Sequence, residues 1–343
     1  MMGMIEEIDK EDMTAMVDAF PSLLQIYSLS EEYQKKLEHI DKTSIKGIGL
    51  VGMGGSAISG LLSKGLLDQK SHIPIVSVQD YKLPKYIQKK WVVIAVSYSG
   101  NTEETLASLK EGQGRGCTCL GITSGGKLRN KLPSEQIQLL PKGLQPRAAL
   151  PIIFAAVYPT IQLLIGTDKE DLVKVGRKLE ELEKDWGGNI TPVQFAKSIS
   201  NSIPLFTGWS HLSPVAYRAR CQINENAKTA AYNSDIPEAN HNEIESCESF
   251  SKYRIIPVFL RSIYEETGIT RRFEITGEIY RAQGISPLEI RFEELSQIEE
   301  TLVHTYYLDK VSVELAKILK ADPISVDRIS TLKRKLASSD ETH

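Results

Sequence analysis

Apolar residues fall along this chain in short blocks rather than in residue-by-residue alternation. Runs at 46–51, 74–78, 92–97, 119–122 and 137–140 read as buried strands. Helical spacing of roughly ten to fifteen residues separates them, the signature of a parallel sheet. Ahead of them, residues 1–45 place Met13, Met16, Val17 and Phe20 on one helical face. Behind them, 148–165 is almost wholly apolar but contains Pro151, Pro159, Thr160 and Gln162, which favours a helix packed between domains over a membrane span. A charged connection at 168–186 leads to a second set. Strands are expected at 203–208, 255–260, 273–276 and 288–292. Helices are expected from Ser213, as cap, with Pro214 as first residue, to about 228, then across 295–319 as one or two helices. Asp322-Pro323 should break the chain before a last helix at 326–336 and a frayed tail at 338–343. The pattern predicts an α/β protein of two related halves. Residues 1–165 form a lead-in and first domain, 166–190 a helical linker, and 191–343 a second domain.

Two loops follow buried strands and open helices. The first is Gly52-Met53-Gly54-Gly55-Ser56-Ala57; the second runs from Ser97 through Ser99, Gly100, Asn101 and Thr102 to Thr105. A helix start carries unpaired N–H groups and partial positive charge, glycines admit a ligand close to the backbone, and hydroxyls add neutral donors. Side by side at the carboxyl edge of one sheet, such loops suit a phosphate. Two other readings stay open. Gly52-x-Gly54-x-x-Ala57 fits a dinucleotide fingerprint, with Asp80 placed for a ribose. The loops also work as turns alone, with Asn101 as a helix cap and Glu104 as its capping-box partner. No Gly-Lys-Ser/Thr triplet supports a P-loop.

Composition narrows the class further. Lys+Arg number 41 and Asp+Glu 44, for a net charge of -3, which is no footprint for nucleic acid or an acidic membrane. The four cysteines, Cys117, Cys119, Cys221 and Cys247, lack zinc spacing and read as reduced thiols of a cytoplasmic protein. The acidic start (Glu6, Glu7, Asp9, Glu11, Asp12) argues against a secretory signal.

At the two loops the chain resembles the sugar isomerase (SIS) family. The resemblance narrows at Gln145-Pro146-Arg147-Ala148-Ala149-Leu150-Pro151, at Asn224-Glu225-Asn226-Ala227-Lys228 and at Pro237-Glu238-Ala239-Asn240-His241-Asn242-Glu243-Ile244. With Asp322-Pro323 and the 329–336 segment, these are similar to the archaeal and bacterial bifunctional phosphoglucose/phosphomannose isomerases, from about residue 48 to 336. The resemblance implies two SIS domains, each a doubly wound, flavodoxin-like parallel sheet flanked by helices. It also implies a homodimer with its active site at the subunit interface, sugar-phosphate substrates, and no cofactor or metal. The implied reaction is reversible isomerisation of glucose 6-phosphate or mannose 6-phosphate with fructose 6-phosphate through an enediolate.

Site roles carry over residue by residue. Glu225 matches the base that moves the proton between C1 and C2; by helical spacing it shares a face with Arg218 and Gln222. His241 matches the group that opens the sugar ring, reaching into the partner's site, with Glu238 and Glu243 near enough to orient it. Arg147 matches the cation that stabilises the enediolate oxygen. Lys333 matches a lysine near the substrate, with Lys335 as the register-shifted competitor. Ser56, Ser97, Ser99 and Thr102, with the N–H groups of Gly54 and Gly55, would hold the phosphate. Val326 stands where some relatives carry threonine, which bears on the glucose–mannose balance. Without the resemblance, Glu225 reads as a solvated helix end, His241 as a loop histidine, Arg147 as an interdomain ion pair and His211 as a local competitor to His241. A sugar-phosphate sensor, another SIS isomerase and an NAD-dependent dehydrogenase are the competing functions. A DNA-binding sensor is disfavoured because no basic recognition helix is present.

Overall fold

The computed structural model describes residue 5 and residues 8–340. Glu6 and Glu7 of the acidic start, and the end of the expected tail, lie outside the described residues. The lead-in helices among residues 8–45 are α1 (Met13–Asp18), α2 (Phe20–Ile26) and α3 (Glu31–Glu38). Asp12 caps α1 by accepting from the Thr14 N–H, and Ser30 caps α3 by accepting from that of Tyr33. Met13, Met16, Val17 and Phe20 are buried.

The first sheet comprises β1 (Gly47–Val51), β2 (Ile75–Val78), β3 (Trp91–Val96), β4 (Thr118–Thr123) and β5 (Ile137–Leu139), all parallel, in the order β2-β1-β3-β4-β5. Between them run α4 (Gly54–Leu67) and α5 (Glu103–Gly114), and α6 (Leu150–Ile165) closes the unit. Every residue of β1 and β3 is buried, as a sheet covered on both faces requires. Register pairs Ile48 with Ile75 and with Val92. The order reverses between β1 and β3, so their carboxyl ends open the crevice where doubly wound sheets bind ligands.

A charged helix, α7 (Leu172–Leu182), crosses back over α2, and α8 (Pro192–Ile199) begins the second half with a capping box between Thr191 and Gln194. The second sheet has β6 (Ile203–Gly208), β7 (Tyr232–Asp235), β8 (Ile255–Arg261) and β9 (Leu288–Arg291), parallel, in the order β7-β6-β8-β9. Its helices are α9 (Ser213–Asn226), α10 (Phe250–Tyr253), α11 (Thr267–Ala282), α12 (Gln297–Ile318) and α13 (Asp327–Asp340). Helix α6 packs on α4 and α2, α12 on α9 and α8, and α9 on α4, so one apolar cluster runs through both halves. The 148–165 block is thus core: Pro151, Thr160 and Gln162 are all buried, and no helix among the described residues is long and apolar enough to cross a membrane.

Several local expectations need correction. The 273–276 run is not a strand but part of α11: Phe273, Thr276, Gly277 and Tyr280 are its buried face, at helical spacing. Strand β7 was invisible in the pattern because Tyr-Asn-Ser-Asp at a sheet edge has no apolar face to bury. Ser213 is the first helical residue rather than the cap; a short turn at Ser210–Leu212 precedes it and Leu212 takes the cap position. Thr102, not Asn101, precedes α5, and no capping box forms with Glu104. Instead Asn101 Oδ1 accepts from the Lys127 N–H at 3.0 Å, joining two loops of the sheet edge. The 297–318 stretch is a single helix, and α13 continues through Ser338 to Asp340.

A buried ion pair joins the closing helix to the second-half scaffold. Arg218 Nε and Nη2 donate to Asp309 Oδ1 and Oδ2 at 2.9 and 2.6 Å. Burial pushes the Asp309 carboxyl up and Arg218 pulls it back. Removing one partner strands a buried charge, so Asp309→Ala should lose roughly 3–5 kcal/mol, read as a lower urea midpoint at unchanged slope.

Candidate active site

The two hydroxyl loops meet at the β1–β3 crevice. Ser56 and Ser97 are buried, Thr102 is half-buried and Ser99 is exposed. The Tyr98 N–H donates to Ser56 Oγ at 3.2 Å, which leaves the Ser56 O–H free to donate. Ser97 Oγ lies 2.9 Å from Thr102 Oγ1 and accepts from the Gly100 N–H at 3.1 Å. Ser99 Oγ accepts from the Asn101 N–H at 3.3 Å. Gly54 has φ +52°, a left-handed conformation that favours glycine. At Gly100 (φ +70°) a Cβ would stand 1.8 Å from the Gly125 carbonyl oxygen, so no side chain fits. Asp80 is exposed, its carboxylate accepts from the Tyr81 N–H at 2.6 Å, and its carbonyl accepts from Ser108.

Gly55 connects this crevice to the cations. A Cβ there would be 3.0 Å from the Pro146 carbonyl oxygen and 3.4 Å from Arg147 Cα, so the first loop lies directly against the start of the α6 region. From that point the Arg147 side chain, 4% exposed, reaches the end of α9. Its Nε donates to Asn226 Oδ1 at 2.8 Å; Nη2 donates to the Pro323 carbonyl and, at 3.3 Å, to that of Ile324. Nη1 faces Glu225 Oε2 at 3.9 Å. Arg218 Nη2 also donates to the Arg147 carbonyl at 3.0 Å. Burial lowers the pKa of the Arg147 guanidinium from its ordinary value, while Glu225 and Asp322 favour its charge. It stays a cation at any working pH.

Glu225 is the half-exposed member of the pair, at the last turn of α9. Its expected face-mates Arg218 and Gln222 are instead buried against α12, so Glu225 alone looks outward from that row. His241 and Lys333 are exposed, and among the described residues neither is hydrogen-bonded or ion-paired to Arg147 or Glu225. Lys335 is exposed as well, and Val326 is half-buried just before α13. No side-chain hydrogen bond or ion pair joins Glu238 or Glu243 to His241: the Glu238 carboxylate accepts from Asn242 at 2.8 Å, and burial pushes the Glu243 carboxyl up. His211 is fully buried and hydrogen-bonded to Glu300 at 2.6 Å, away from solvent.

Two residues of this group went unassigned in the sequence. Asn226 has 0% exposure and braces Arg147, its own Nδ2 donating to Ser312 Oγ at 2.9 Å. Lys228 follows α9 with φ +56° and donates to the Glu225 carbonyl and, at 2.8 Å, to that of Ser325. Burial and the neighbouring Arg147 lower the pKa of its ammonium. Both lie in the Asn224–Lys228 motif, but nothing in their spacing shows that one is buried and the other left-handed. Asn226→Ala removes the acceptor of a buried guanidinium N–H. The expected cost is roughly 1–3 kcal/mol, measured as a fall in the denaturation midpoint.

Comparisons with known proteins place the family and the fold. The family description "bacterial phospho-glucose isomerase C-terminal SIS domain" matches residues 191–336. The chain is 34% identical over 325 residues to a bifunctional phosphoglucose/phosphomannose isomerase of Aquifex aeolicus, covering 91% of this chain and 98% of that protein. It is 36% identical over 233 residues to a D-glucosamine-6-phosphate 4-epimerase of Sulfolobus acidocaldarius, covering 64% and 70% of the two. Among solved structures, the C-terminal domain of glucosamine-fructose-6-phosphate aminotransferase from Francisella tularensis superposes with a TM-score of 0.68 at 14% identity, covering 90% and 96%, which shows the shared fold. The near-complete alignment with the Aquifex protein, on a fold of two parallel SIS-type sheets, shows that this chain belongs to the bifunctional phosphoglucose/phosphomannose isomerase family and is an isomerase.

Proposed function

We propose that the protein interconverts glucose 6-phosphate and mannose 6-phosphate with fructose 6-phosphate. The observation that carries the reading is the Arg147–Glu225 pair at 3.9 Å, set against a loop of neutral phosphate donors through Gly55. Aldose–ketose isomerisation needs a base that removes a proton from one carbon and returns it to the next, beside a fixed positive charge for the enediolate oxygen. Glu225 is accessible enough to reach a sugar. Arg147 has two of its nitrogens committed to Asn226 and to backbone carbonyls, so only Nη1 faces the reacting carbons and no reorganisation is needed when charge develops. Ser56, Ser97, Ser99 and Thr102, with the N–H groups of Gly54 and Gly55, hold the phosphate. His241 opens the ring, and Lys333 of α13 closes on the substrate.

The exposure of His241 and Lys333 supports a site completed by a second copy of the chain. Ile329, Leu332 and Leu336 are exposed on α13 at helical spacing, an apolar stripe suited to burial in a homodimer. The Sulfolobus relative motivates one competing reading, an amino-sugar phosphate as substrate. The deciding assay supplies fructose 6-phosphate, and separately glucosamine 6-phosphate, to the purified chain without nicotinamide cofactor. Glucose and mannose 6-phosphates from the first support the proposal; turnover of the amino sugar alone overturns it.

Glu225→Gln should lower kcat by about 10²- to 10⁴-fold while inorganic phosphate still binds; near-normal turnover would remove Glu225 as base. Ser97→Ala should weaken substrate binding by about 1 kcal/mol, as for one hydrogen bond, seen in KM with kcat nearly unchanged.

A further inference from the structure

The second sheet repeats the construction of the first at its own switch point, and there the crevice is full. Strand β6 runs into the Ser210–Leu212 turn carrying His211, as β1 runs into Gly54-Gly55-Ser56. Ser262 is the first residue after β8, as Ser97 is the first after β3. In the first half the next N–H, of Tyr98, donates to Ser56 Oγ. In the second half the corresponding N–H, of Ile263, donates to Glu300 Oε1 at 2.9 Å. Glu300 Oε2 accepts from Ser262 Oγ at 2.7 Å and from His211 Nε2 at 2.6 Å. Glu300 and His211 have 0% exposure and Ser262 2%. Glu300 sits in the first turns of α12, which closes the second half as α6 closes the first.

We propose that the second half keeps an anion site of the same construction, and that its ligand is the chain's own Glu300 carboxylate. This rests on the reading of the first-half loops as the phosphate site; together they mean that each chain takes one phosphate and not two. The donor set carries the assignment: one serine hydroxyl, one main-chain N–H and one imidazole converge on both oxygens of a single carboxylate. No lysine or arginine is among them, and first-half recognition likewise depends on hydroxyl and N–H donors. Burial alone would raise the Glu300 carboxyl, but the hydrogen bonds from His211, Ser262 and Ile263 and the nearness of His304 outweigh it and hold it below the usual range. A carboxylate with no exposure is tolerated only where donors saturate it.

The test is thermal unfolding of the full chain in chloride, formate and inorganic phosphate at matched ionic strength. Glu300→Ala empties the pocket but leaves its donors. It should melt below wild type in chloride and recover at least half of that loss in formate, or in phosphate beyond the gain that wild type itself shows. Wild type should not respond to formate. Glu300→Gln refills the space and should show no response to formate and only the wild-type response to phosphate. If Glu300→Ala does not fold in chloride, the readout is soluble yield on refolding with formate present, and recovery supports the assignment. No recovery by formate and none by phosphate beyond the wild-type gain, wild-type melting of Glu300→Ala in chloride, or an equal formate response in Glu300→Gln overturns it. A wild type that phosphate fails to stabilise would overturn the first-half phosphate reading and leave the formate result to judge the Glu300 pocket by itself.

Discussion

A guanidinium buried between the two halves is the constraint on which the site depends. Arg147 cannot hold its charge out of water unless its N–H groups are answered. The answers come from far apart in the chain: Asn226 at the end of α9, the Pro323 and Ile324 carbonyls before α13, and Glu225 at the mouth. Pairing them forces the first half, the end of α9 and the start of the last helix to one point. The bracing continues inward through Arg218, which holds both the Arg147 carbonyl and Asp309. Charged groups this deep rarely add net stability, but they punish misplacement, and that makes the geometry of the pair definite.

The halves share one plan and divide the work. Both present a strand-end loop and a serine at the order-reversal point of a parallel sheet. In the first half the loop faces the crevice with hydroxyl donors, and glycine conformations keep the backbone close. In the second, Glu300 and His211 seal the corresponding position, and α9 becomes the element that matters, carrying Arg218 inward and Glu225 outward.

Most of the fold was legible. Wherever a strand is buried on both faces, the apolar run is unmistakable, as at β1, β3 and β4. The failures have physical causes. Residues 273–276 contain Phe, Ile and Thr, which favour a strand locally, yet a helical face at Phe273, Thr276, Gly277 and Tyr280 overrides them. The edge strand Tyr232–Asp235 is held by ladder hydrogen bonds to β6, which leave no mark on side-chain polarity. Asn101 is a good cap by type, but a tertiary bond to the Lys127 N–H takes its oxygen. In the site, the hydroxyl loops and Gly55 were readable as candidate phosphate donors, whereas the bracing role of Asn226 was not, because its partners are 79 and 86 positions away.

The sequence by itself determined the parallel-sheet class, the two-part plan, the hydroxyl loops at the first crevice, and the motifs that match the family. These are local facts: periodicity, turn chemistry and residue type within a few positions. Tertiary structure alone decided that Arg147 is buried and points Nη1 at Glu225, that Asn226 and Lys228 belong to the same group, and that Glu300 closes the second crevice. Each of these depends on which distant groups become neighbours when water is excluded. A buried charge or donor is tolerated only where its partners arrive, and no pattern along the chain records that arrival.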